Sequence, residues 1–222
     1  MNNIEPVLLK ELNETDYESL ISYRIRKILM ICSNYDAFIL EEDGQIESQI
    51  FKEYIDLNLS NPPKFIWVQT AAQARELLNT VVGIDMVMCM YNVSDKEVFS
   101  LATEIKNDRP NLPFVLLTHF SKEVYRRLAL QDTSAIDYMF CWHGNADLIV
   151  AIVKLFEDLQ NAEHDISGVG VQAILLVEDS VRYYSTYLPE LYKLILMQTR
   201  EFLTETLNQQ QRKIRKRSRP KI

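Results

Sequence analysis

Two adjacent carboxylates are the clearest candidates for chemistry in this chain. Glu178 and Asp179 directly follow an apolar run, AILLV at 173–177. A carboxylate buried at the end of such a run is costly unless a cation or solvent compensates it, so the pair could hold a divalent metal ion such as magnesium. An exposed loop carries the same two acids at no cost. The residues by themselves leave both interpretations open.

Other common kinds of site are excluded by motif and spacing. Neither GxGxxG nor the GxxxxGK phosphate loop occurs, so the two usual glycine-rich phosphate cradles are absent. The chain has only three cysteines, Cys32, Cys89 and Cys141, which are too few and too widely spaced for a disulfide framework or a zinc knuckle. Free cysteines in this number are typical of a protein from a reducing, cytoplasmic environment.

The charge of the chain is unevenly distributed. Residues 212–221 (RKIRKRSRPK) hold seven basic residues and no acid, which leaves 17 basic against 31 acidic residues, a charge of −14, for the rest. A basic segment can contact nucleic acid, but this one has no interleaved aromatic residues and the acidic body would repel a phosphate backbone. The basic residues fit the carboxyl-terminal end of a helix equally well, so nucleic-acid binding is not expected.

Length and composition are typical of a soluble globular protein. The chain has 222 residues, 47% hydrophobic and 25% charged, which corresponds to about one and a half domains of roughly 150 residues each. No apolar run approaches the ~20 residues of a membrane-spanning helix. Residues 1–25 are polar and acidic, lack the features of a signal peptide, and are predicted to be an N-terminal extension.

Short apolar runs alternate with segments of helical spacing between residues 26 and 160. Apolar residues follow one another in these runs without alternation, which is typical of strands buried on both faces of a parallel sheet. The runs lie at 27–32, 64–69, 85–90, 113–118 and 136–140, and the helical segments lie at 46–57, 71–78, 98–105, 121–130 and 148–159. This alternation predicts a flavodoxin-like, doubly wound α/β domain with a five-stranded parallel sheet. The functional site of such a domain lies beyond the carboxyl ends of its strands.

The remaining residues predict the beginning of a second domain. Residues 161–171 carry two of the five glycines and are predicted to be a linker. Residues 172–222 then contain one further strand at 173–177 and a long helix from about 181 to 217. KILMICSNYD and AILLVEDSVR are alike at an offset of 146 residues, which indicates that the second domain repeats the first. The last four residues, 219–222, are interpreted as the start of its second strand.

The segment ILLVEDS at 174–180 resembles the first strand of response-regulator receiver domains, whose acidic pair holds a magnesium ion. Receivers carry a phosphorylated Asp at the end of strand three, a Thr or Ser at the end of strand four and a Lys at the end of strand five. Residues 84–95, 113–121 and 134–145 are similar to these three strands in order and spacing. The resemblance covers residues 26–160 and implies the receiver fold.

The residues at the receiver's functional positions do not match the family. The degenerate positions are Cys32 and Ser33 in place of the acidic pair, Met90 in place of the phosphorylated Asp, and Cys141 in place of the Lys, whereas Thr118 is retained. Phosphoryl transfer there needs a carboxylate nucleophile, hard oxygen ligands for the metal and a cation, and a thioether supplies none of these. Asp85 begins the third strand and Asp95 lies well past its end. The resemblance therefore implies a pseudo-receiver.

The same alignment brings two cysteines and two histidines to one edge of the sheet, namely Cys32, Cys141, His119 and His143. A redox or metal pair is one interpretation of them. Their spacing matches no zinc pattern, and buried cysteines commonly act as small hydrophobic residues. We expect them to fill the core and the loops.

The leading hypothesis is a non-catalytic, receiver-like regulatory module of a larger protein, which acts through protein–protein contacts. No catalytic residue and no cofactor is expected in the first domain, and magnesium is considered only at Glu178 and Asp179. Its partner is another protein, a downstream domain of the same polypeptide, or a second copy bound through the long helix. The helix residues expected in that contact are Leu188, Leu191, Ile195 and Phe202.

Two alternative functions stay open. The tandem arrangement and the basic end of the long helix are similar to the N-terminal region of bacterial proteins of the phosphoenolpyruvate synthase or pyruvate phosphate dikinase kind. In that case the catalytic domains would lie beyond residue 222. A DNA-binding response regulator that uses the basic residues is the other alternative.

Overall fold

The computed structural model describes most of the chain, including all five predicted strands of the first domain. The described residues are 20–33, 46–56, 59, 61–93, 95–119, 130–142, 144, 146–204 and 219–222. Most of the extension at 1–25 and nearly all of the helix predicted at 121–130 lie outside them.

Five parallel strands form one sheet in the order β2-β1-β3-β4-β5. The strands are β1 (Lys27–Ile31), β2 (Lys64–Val68), β3 (Met86–Met90), β4 (Phe114–Thr118) and β5 (Tyr138–Cys141). Each begins and ends within two residues of its predicted bounds. The prediction of a doubly wound, five-stranded parallel α/β sheet is confirmed.

Helices cover both faces of this sheet. They are α1 (Ile46–Asp56), α2 (Ala71–Thr80), α3 (Val98–Asp108), α4 (Ala146–Ala162) and α5 (Val181–Thr204). Ile28 and Met30 of β1 pack with α1, α4 and α5, whereas Leu29 and Ile31 pack with α2 and α3. Because alternate side chains enter two different cores, the central strands are apolar throughout except at Lys27, which begins β1, and Thr118, which ends β4. None of the described helices has the length and apolar character needed to cross a membrane.

The predicted linker at 161–171 is mostly helical. The helix α4 continues to Ala162, and a π-helical segment follows it at Glu163–Gly168. Asn161 and Asp165 are buried there, with Asp165 completely inaccessible to solvent. The prediction differs from the structure because glycine and polar residues are typical of a solvated linker, whereas these polar side chains are inside the protein.

The further strand predicted at 173–177 is wrong for the described part of the chain. Only an isolated parallel bridge joins Ala173 to Lys221, in which Ile174 N donates to Lys221 O at 2.7 Å. Leu175 and Val177 are 87% and 82% exposed. An apolar run becomes a buried strand only where neighbouring strands and covering helices enclose it, and here one residue is paired. The bridge brings the last residues of the chain beside the run in parallel, as the sequence predicts for the segment after the long helix. The second domain itself stays a prediction.

The long helix α5 packs against the first domain. Leu188, Tyr192 and Leu196 are buried in the core shared with α4, and Ile195 is buried as well. Leu188 and Ile195 therefore contact their own chain, which corrects their predicted place in an interface with a second copy. The helix has two apolar sides, and its sequence alone does not say which side packs inward. Leu191 is partly buried, and the side chain of Phe202 lies outside the described residues.

Candidate functional site

The carboxyl ends of four strands meet at one edge of the sheet. In the register of the sheet Ile31 lies opposite Cys89, Met90 opposite Leu117, and Thr118 opposite Cys141. The four predicted site residues that end or follow these strands are consequently neighbours along the edge, and each is at most 4% exposed; they are Cys32, Met90, Thr118 and Cys141. Ser33, the fifth, is partly buried. The structure thus brings together the residues that sequence analysis grouped.

The polar groups along this edge are bound locally. Thr118 Oγ1 donates to the carbonyl oxygen of His119 at 3.2 Å, and Trp142 N donates to the carbonyl oxygen of Thr118 at 2.8 Å. Cys141 N donates to Ser185 Oγ at 2.7 Å, so the first turn of α5 is attached directly to this edge. Thr118 therefore stabilises the backbone at the end of β4.

The cysteines have the properties of core residues. All three are buried, and none forms a disulfide. Burial, and secondarily the neighbouring Cys32, raises the pKa of the Cys89 thiol far above its ordinary value, and Cys89 Sγ donates to the carbonyl oxygen of Met90 at 3.3 Å. Such a thiol stays protonated at neutral pH and is a poor nucleophile. Among the described residues, which exclude His143, there is no group of three or more His, Cys, Asp or Glu residues that could hold a metal ion.

A small apolar cavity lies beside Met90. It measures about 10 Å³ and is lined by Trp142, Leu117, Trp67 and other apolar side chains, with no polar surface. A cavity of this size is at the lower limit for a single water molecule, and a water also needs polar partners. As far as the described residues line it, the space beside Met90 therefore has neither the volume nor the ligands for a hydrated cation or a phosphoryl group.

The acid that follows β3 caps a helix. The carboxylate of Asp95 accepts hydrogen bonds from Ala71 N at 2.7 Å and Ala72 N at 3.1 Å, at the start of α2. Slight burial raises the pKa of Asp95, but these backbone donors outweigh that effect and the pKa lies below its ordinary value. Thr70 Oγ1 completes the cap by accepting from Gln73 N at 3.1 Å.

The acid that precedes β3 lies at the opposite edge of the sheet. Asp85 Oδ2 accepts from Arg26 N at 2.7 Å and from Lys27 N at 3.0 Å, which joins the start of β1 to the start of β3. Because the strands are parallel, this edge is separated from Met90 by the full length of β3. Asp85 and Asp95 thus have structural roles.

The adjacent acids Glu178 and Asp179 lie in the turn before α5. Glu178 Oε1 accepts from Ser180 N at 2.9 Å, and Asp179 is exposed. Magnesium requires a near-octahedral set of oxygen ligands. The described residues place no third acidic, histidine or cysteine side chain with this pair, so these two carboxylates do not by themselves form a magnesium site.

A buried ionic cluster, which the sequence analysis did not identify, joins α4 to the last four residues. Arg219 donates to both carboxylate oxygens of Asp158, at 2.9 and 2.7 Å, and Tyr192 OH donates to Asp158 Oδ2 at 2.9 Å. Lys221 Nζ lies 2.9 Å from Asp165 Oδ2 and 3.6 Å from Asp158 Oδ1, in ion-pair contact without hydrogen-bond alignment. We call these five residues the Asp158 cluster.

The charges of the Asp158 cluster balance inside the protein. Two cations, Arg219 and Lys221, meet two anions, Asp158 and Asp165, and all four are at most 4% exposed. Burial, followed by the charge of Arg219, lowers the pKa of Lys221, whereas for Arg219 the attraction of Asp158 outweighs burial and raises the pKa. Two of the seven basic residues near the C-terminus therefore point into the protein and away from any phosphate backbone outside it.

The sequence did contain a signal for part of this cluster. Polar residues recur along α4 at spacings of three and four, on one side of the helix; they are Lys154, Glu157, Asp158 and Asn161. Each is buried, and Lys154 Nζ lies 2.6 Å from Glu157 Oε2. A polar stripe on a helix usually faces solvent. Here it faces residues 20–25 and 219–222. The spacing of residues along α4 does not predict contact with these distant segments.

Comparison with known proteins yields similarity of structure alone. No protein-family model matches the chain, and no curated protein matches it. The resemblance to phosphoenolpyruvate synthase-like proteins therefore rests on the sequence pattern only. The parallel order β2-β1-β3-β4-β5 is the flavodoxin-like one. The chain has this fold.

Solved structures similar to the chain are receiver domains and response regulators. One is the signal receiver domain of an HD domain-containing protein from Pseudomonas fluorescens Pf-5, with 19% identity, a TM-score of 0.47, and 64% of this chain and 94% of that chain covered. A CheY-like receiver domain protein from Methanospirillum hungatei JF-1 has 16% identity and a TM-score of 0.47, and the match covers 63% of this chain and 98% of that chain. The response regulator TrrA from Thermotoga maritima, solved with Mg(2+)-BeF, has 18% identity and a TM-score of 0.44, and the match covers 58% of this chain and 96% of that chain. Because these identities are below 20% and the TM-scores below 0.5, the fold is assigned from the strand order and register of the chain itself.

Proposed function

We propose that residues 26–160 form a receiver-like signalling module that is not phosphorylated at its third strand and that acts through protein–protein contacts. The observation that carries the proposal is Met90. This residue ends β3, where the receiver resemblance places the phosphorylated Asp, and it is 2% exposed. A thioether has no oxygen with which to form an acyl phosphate.

The surroundings of Met90 support the same proposal. Phosphoryl transfer depends on charged and polar groups aimed at the transferred group. The cavity beside Met90 is about 10 Å³ and apolar, and the first positions after β1 are Cys32 and Ser33. A side chain that replaced Met90 in function would have to reach this space, and the flanking acids Asp85 and Asp95 are already bound to backbone donors.

A module that is not phosphorylated at this edge of the sheet would signal through contacts made by its surface. The proposed partner is another protein or a further domain of the same polypeptide. The first turn of α5 is attached to the end of β5 through Ser185, so a partner that shifts α5 also acts on the edge that in receivers carries the phosphorylation site. The flavodoxin-like fold would then serve as a scaffold for contacts, with no chemistry of its own.

The test is treatment with acetyl phosphate and magnesium, followed by intact-mass spectrometry and peptide mapping. The expected result is no phosphoryl adduct, while a phosphorylatable receiver domain in the same reaction is labelled. Tryptophan fluorescence offers a second measurement, because Trp67 and Trp142 line the cavity beside Met90. Magnesium should leave this fluorescence unchanged. A stable adduct of one phosphoryl group within residues 26–160 would overturn the proposal.

Variants of the flanking acids locate any adduct that does form. Asp85→Asn and Asp95→Asn each remove one carboxylate while they keep the size of the side chain. Loss of the adduct in either variant would show that the acid in question serves as the acceptor. The proposal expects wild type and both variants to be equally unreactive.

A further inference from the structure

The helix α5 has two apolar faces on opposite sides. One face is buried and consists of Leu188, Tyr192, Ile195 and Leu196, of which all but Ile195 belong to the core of the first domain. The other is about half exposed and consists of Tyr183, Tyr187, Leu194 and Met197, which we call the outer stripe. A helix that is apolar on both sides is normally covered on both sides. The outer stripe therefore has the composition of a contact surface.

The spacing of the outer stripe matches that of a two-helix contact. Residues 183, 187, 190, 194, 197 and 201 follow one another at intervals of four and three, the a and d positions of a heptad repeat. Four of the six are the apolar residues of the stripe, and the other two are Glu190 and Glu201. The rings of Tyr183 and Tyr187 already stack on each other, with centroids 6.0 Å apart. The stripe runs straight along α5, which suits a helix as its partner.

We infer that the partner is the outer stripe of a second copy of this chain, packed antiparallel to the first about a two-fold axis between residues 191 and 192. The charges on α5 favour this arrangement. The axis places Glu190 beside the partner's Lys193, and the Arg182 end of one helix beside the Glu201 end of the other. In a parallel, in-register pair, each Glu190 would instead face the partner's Glu190, which is unfavourable.

The same axis also matches the apolar residues. Tyr187 lies within one residue of the position opposite the partner's Met197, which allows a favourable sulfur–aromatic pairing. Leu191 lies at the axis, on the boundary of the outer stripe. It is one of the four residues that the sequence predicted for a helix contact, and its side chain is partly buried. The contact is thus formed by the side of α5 opposite to Leu188 and Ile195.

The exposed area predicts a weak dimer. A fully buried tyrosine covers about 150–250 Å², so a half-exposed side chain of this size contributes about 100 Å² and four contribute about 400 Å² per partner. This is roughly half of the ~800 Å² per partner in a standard interface. We expect a dimer that forms and dissociates over the concentration range accessible to analytical ultracentrifugation.

Sedimentation of the full chain over a wide concentration range tests the inference. Leu194→Glu and Met197→Glu each place a charge in the stripe and should raise the dissociation constant at least tenfold, which is about 1.4 kcal/mol. Val82→Glu is the matched control, because Val82 is an exposed apolar residue in the loop after α2. A protein that is monomeric at every concentration would overturn the inference. This is the result expected if another segment of the same chain covers the stripe. Equal weakening by Val82→Glu would overturn it as well.

Engineered cysteines determine the orientation of the two helices. Tyr187→Cys and Met197→Cys should form a mixed disulfide when the two variants are combined under oxidising conditions, and the three native cysteines are buried and do not compete. Two copies of residue 197 lie about 16 Å apart along an antiparallel pair, too far for a disulfide. A disulfide between two Met197→Cys chains would overturn the antiparallel arrangement.

A charge exchange checks the register. Glu190→Lys and Lys193→Glu should each weaken the dimer a few-fold, and the double variant should restore it, because both pairs across the axis are then reversed together. A double variant that is weaker than either single variant would contradict the proposed register.

Discussion

Replacement of Arg219 by methionine should destabilise the fold strongly. The guanidinium of Arg219 donates to both carboxylate oxygens of Asp158, at 2.9 and 2.7 Å, and these two side chains are 3% exposed and fully buried, respectively. Loss of one partner leaves a charge uncompensated in the interior, which typically costs about 3–5 kcal/mol. Methionine keeps most of the length of the side chain, so the change is mainly one of charge and hydrogen bonding.

The remaining contacts of Asp158 place the expected loss at the lower end of this range. Tyr192 OH still donates to its Oδ2 at 2.9 Å, and Lys221 Nζ lies 3.6 Å from its Oδ1. We therefore expect the free energy of unfolding to fall by about 3 kcal/mol. For a domain whose total stability is about 5–15 kcal/mol, this is a large fraction.

Urea unfolding followed by tryptophan fluorescence measures this loss. Trp142 is buried at the edge of the sheet and Trp67 lies in β2, so both report on the first domain. The midpoint should move to lower urea with an unchanged slope, because the variant exposes the same surface on unfolding.

Two variants serve as controls. Arg75 forms an ion pair with Glu104 in which both side chains are substantially exposed, at 51% and 40%, so Arg75→Met should scarcely move the midpoint. The double variant Arg219→Met with Asp158→Leu removes both charges and should be more stable than Arg219→Met alone, because no unpaired carboxylate is left inside. If Arg219→Met costs no more than Arg75→Met, the Asp158 cluster does not hold the fold together and the reasoning is refuted.

Three further predictions concern the same interior and its helix caps. Tyr192→Phe removes a hydrogen bond to Asp158 and should cost about 1.5–3 kcal/mol at neutral pH. Burial raises the pKa of Tyr192 well above 10.0, so the tyrosine ionises first in the unfolded state. The advantage of wild type over this variant should therefore be constant below pH 10 and shrink above it, and an advantage that grows with alkali would contradict the sign. A thiol reagent should label none of the three buried cysteines in the native protein and all of them in denaturant, so rapid native labelling would show that Cys89 is accessible. Asp95→Ala should lower stability by about 1 kcal/mol through loss of the cap on α2, and chemical denaturation that detects no change would contradict that role.

The strands were predictable because their information is local. The central strands are apolar except at their end residues Lys27 and Thr118, since both faces of the sheet are covered, and this pattern needs no knowledge of distant residues. The group at the edge of the sheet was predictable for a related reason. Once the strands are parallel, Met90 and Cys141 end their strands at the same edge, whatever side chains they carry.

The run at 173–177 exposes the limit of local patterns. It has the composition of a buried strand, yet Leu175 is 87% exposed because, among the described residues, only Ala173 is paired. The π-helical segment at Glu163–Gly168 exposes the opposite limit, since its polar residues predicted a loop and Asp165 is completely buried. In both cases burial depends on partners that lie elsewhere in the chain.

Residue type and short-range spacing were enough to predict the five strands and the parallel α/β class, because both depend on local patterns of apolar residues. The tertiary structure decided which face of α5 is buried and where the basic residues near the C-terminus point. Leu188 and Tyr187 are equally apolar in sequence, and the sheet edge at β5 is what makes one of them core and the other surface. Arg219 and Lys221 read as part of a basic tail until Asp158 and Asp165, more than 50 residues earlier, supply the charges that bury them.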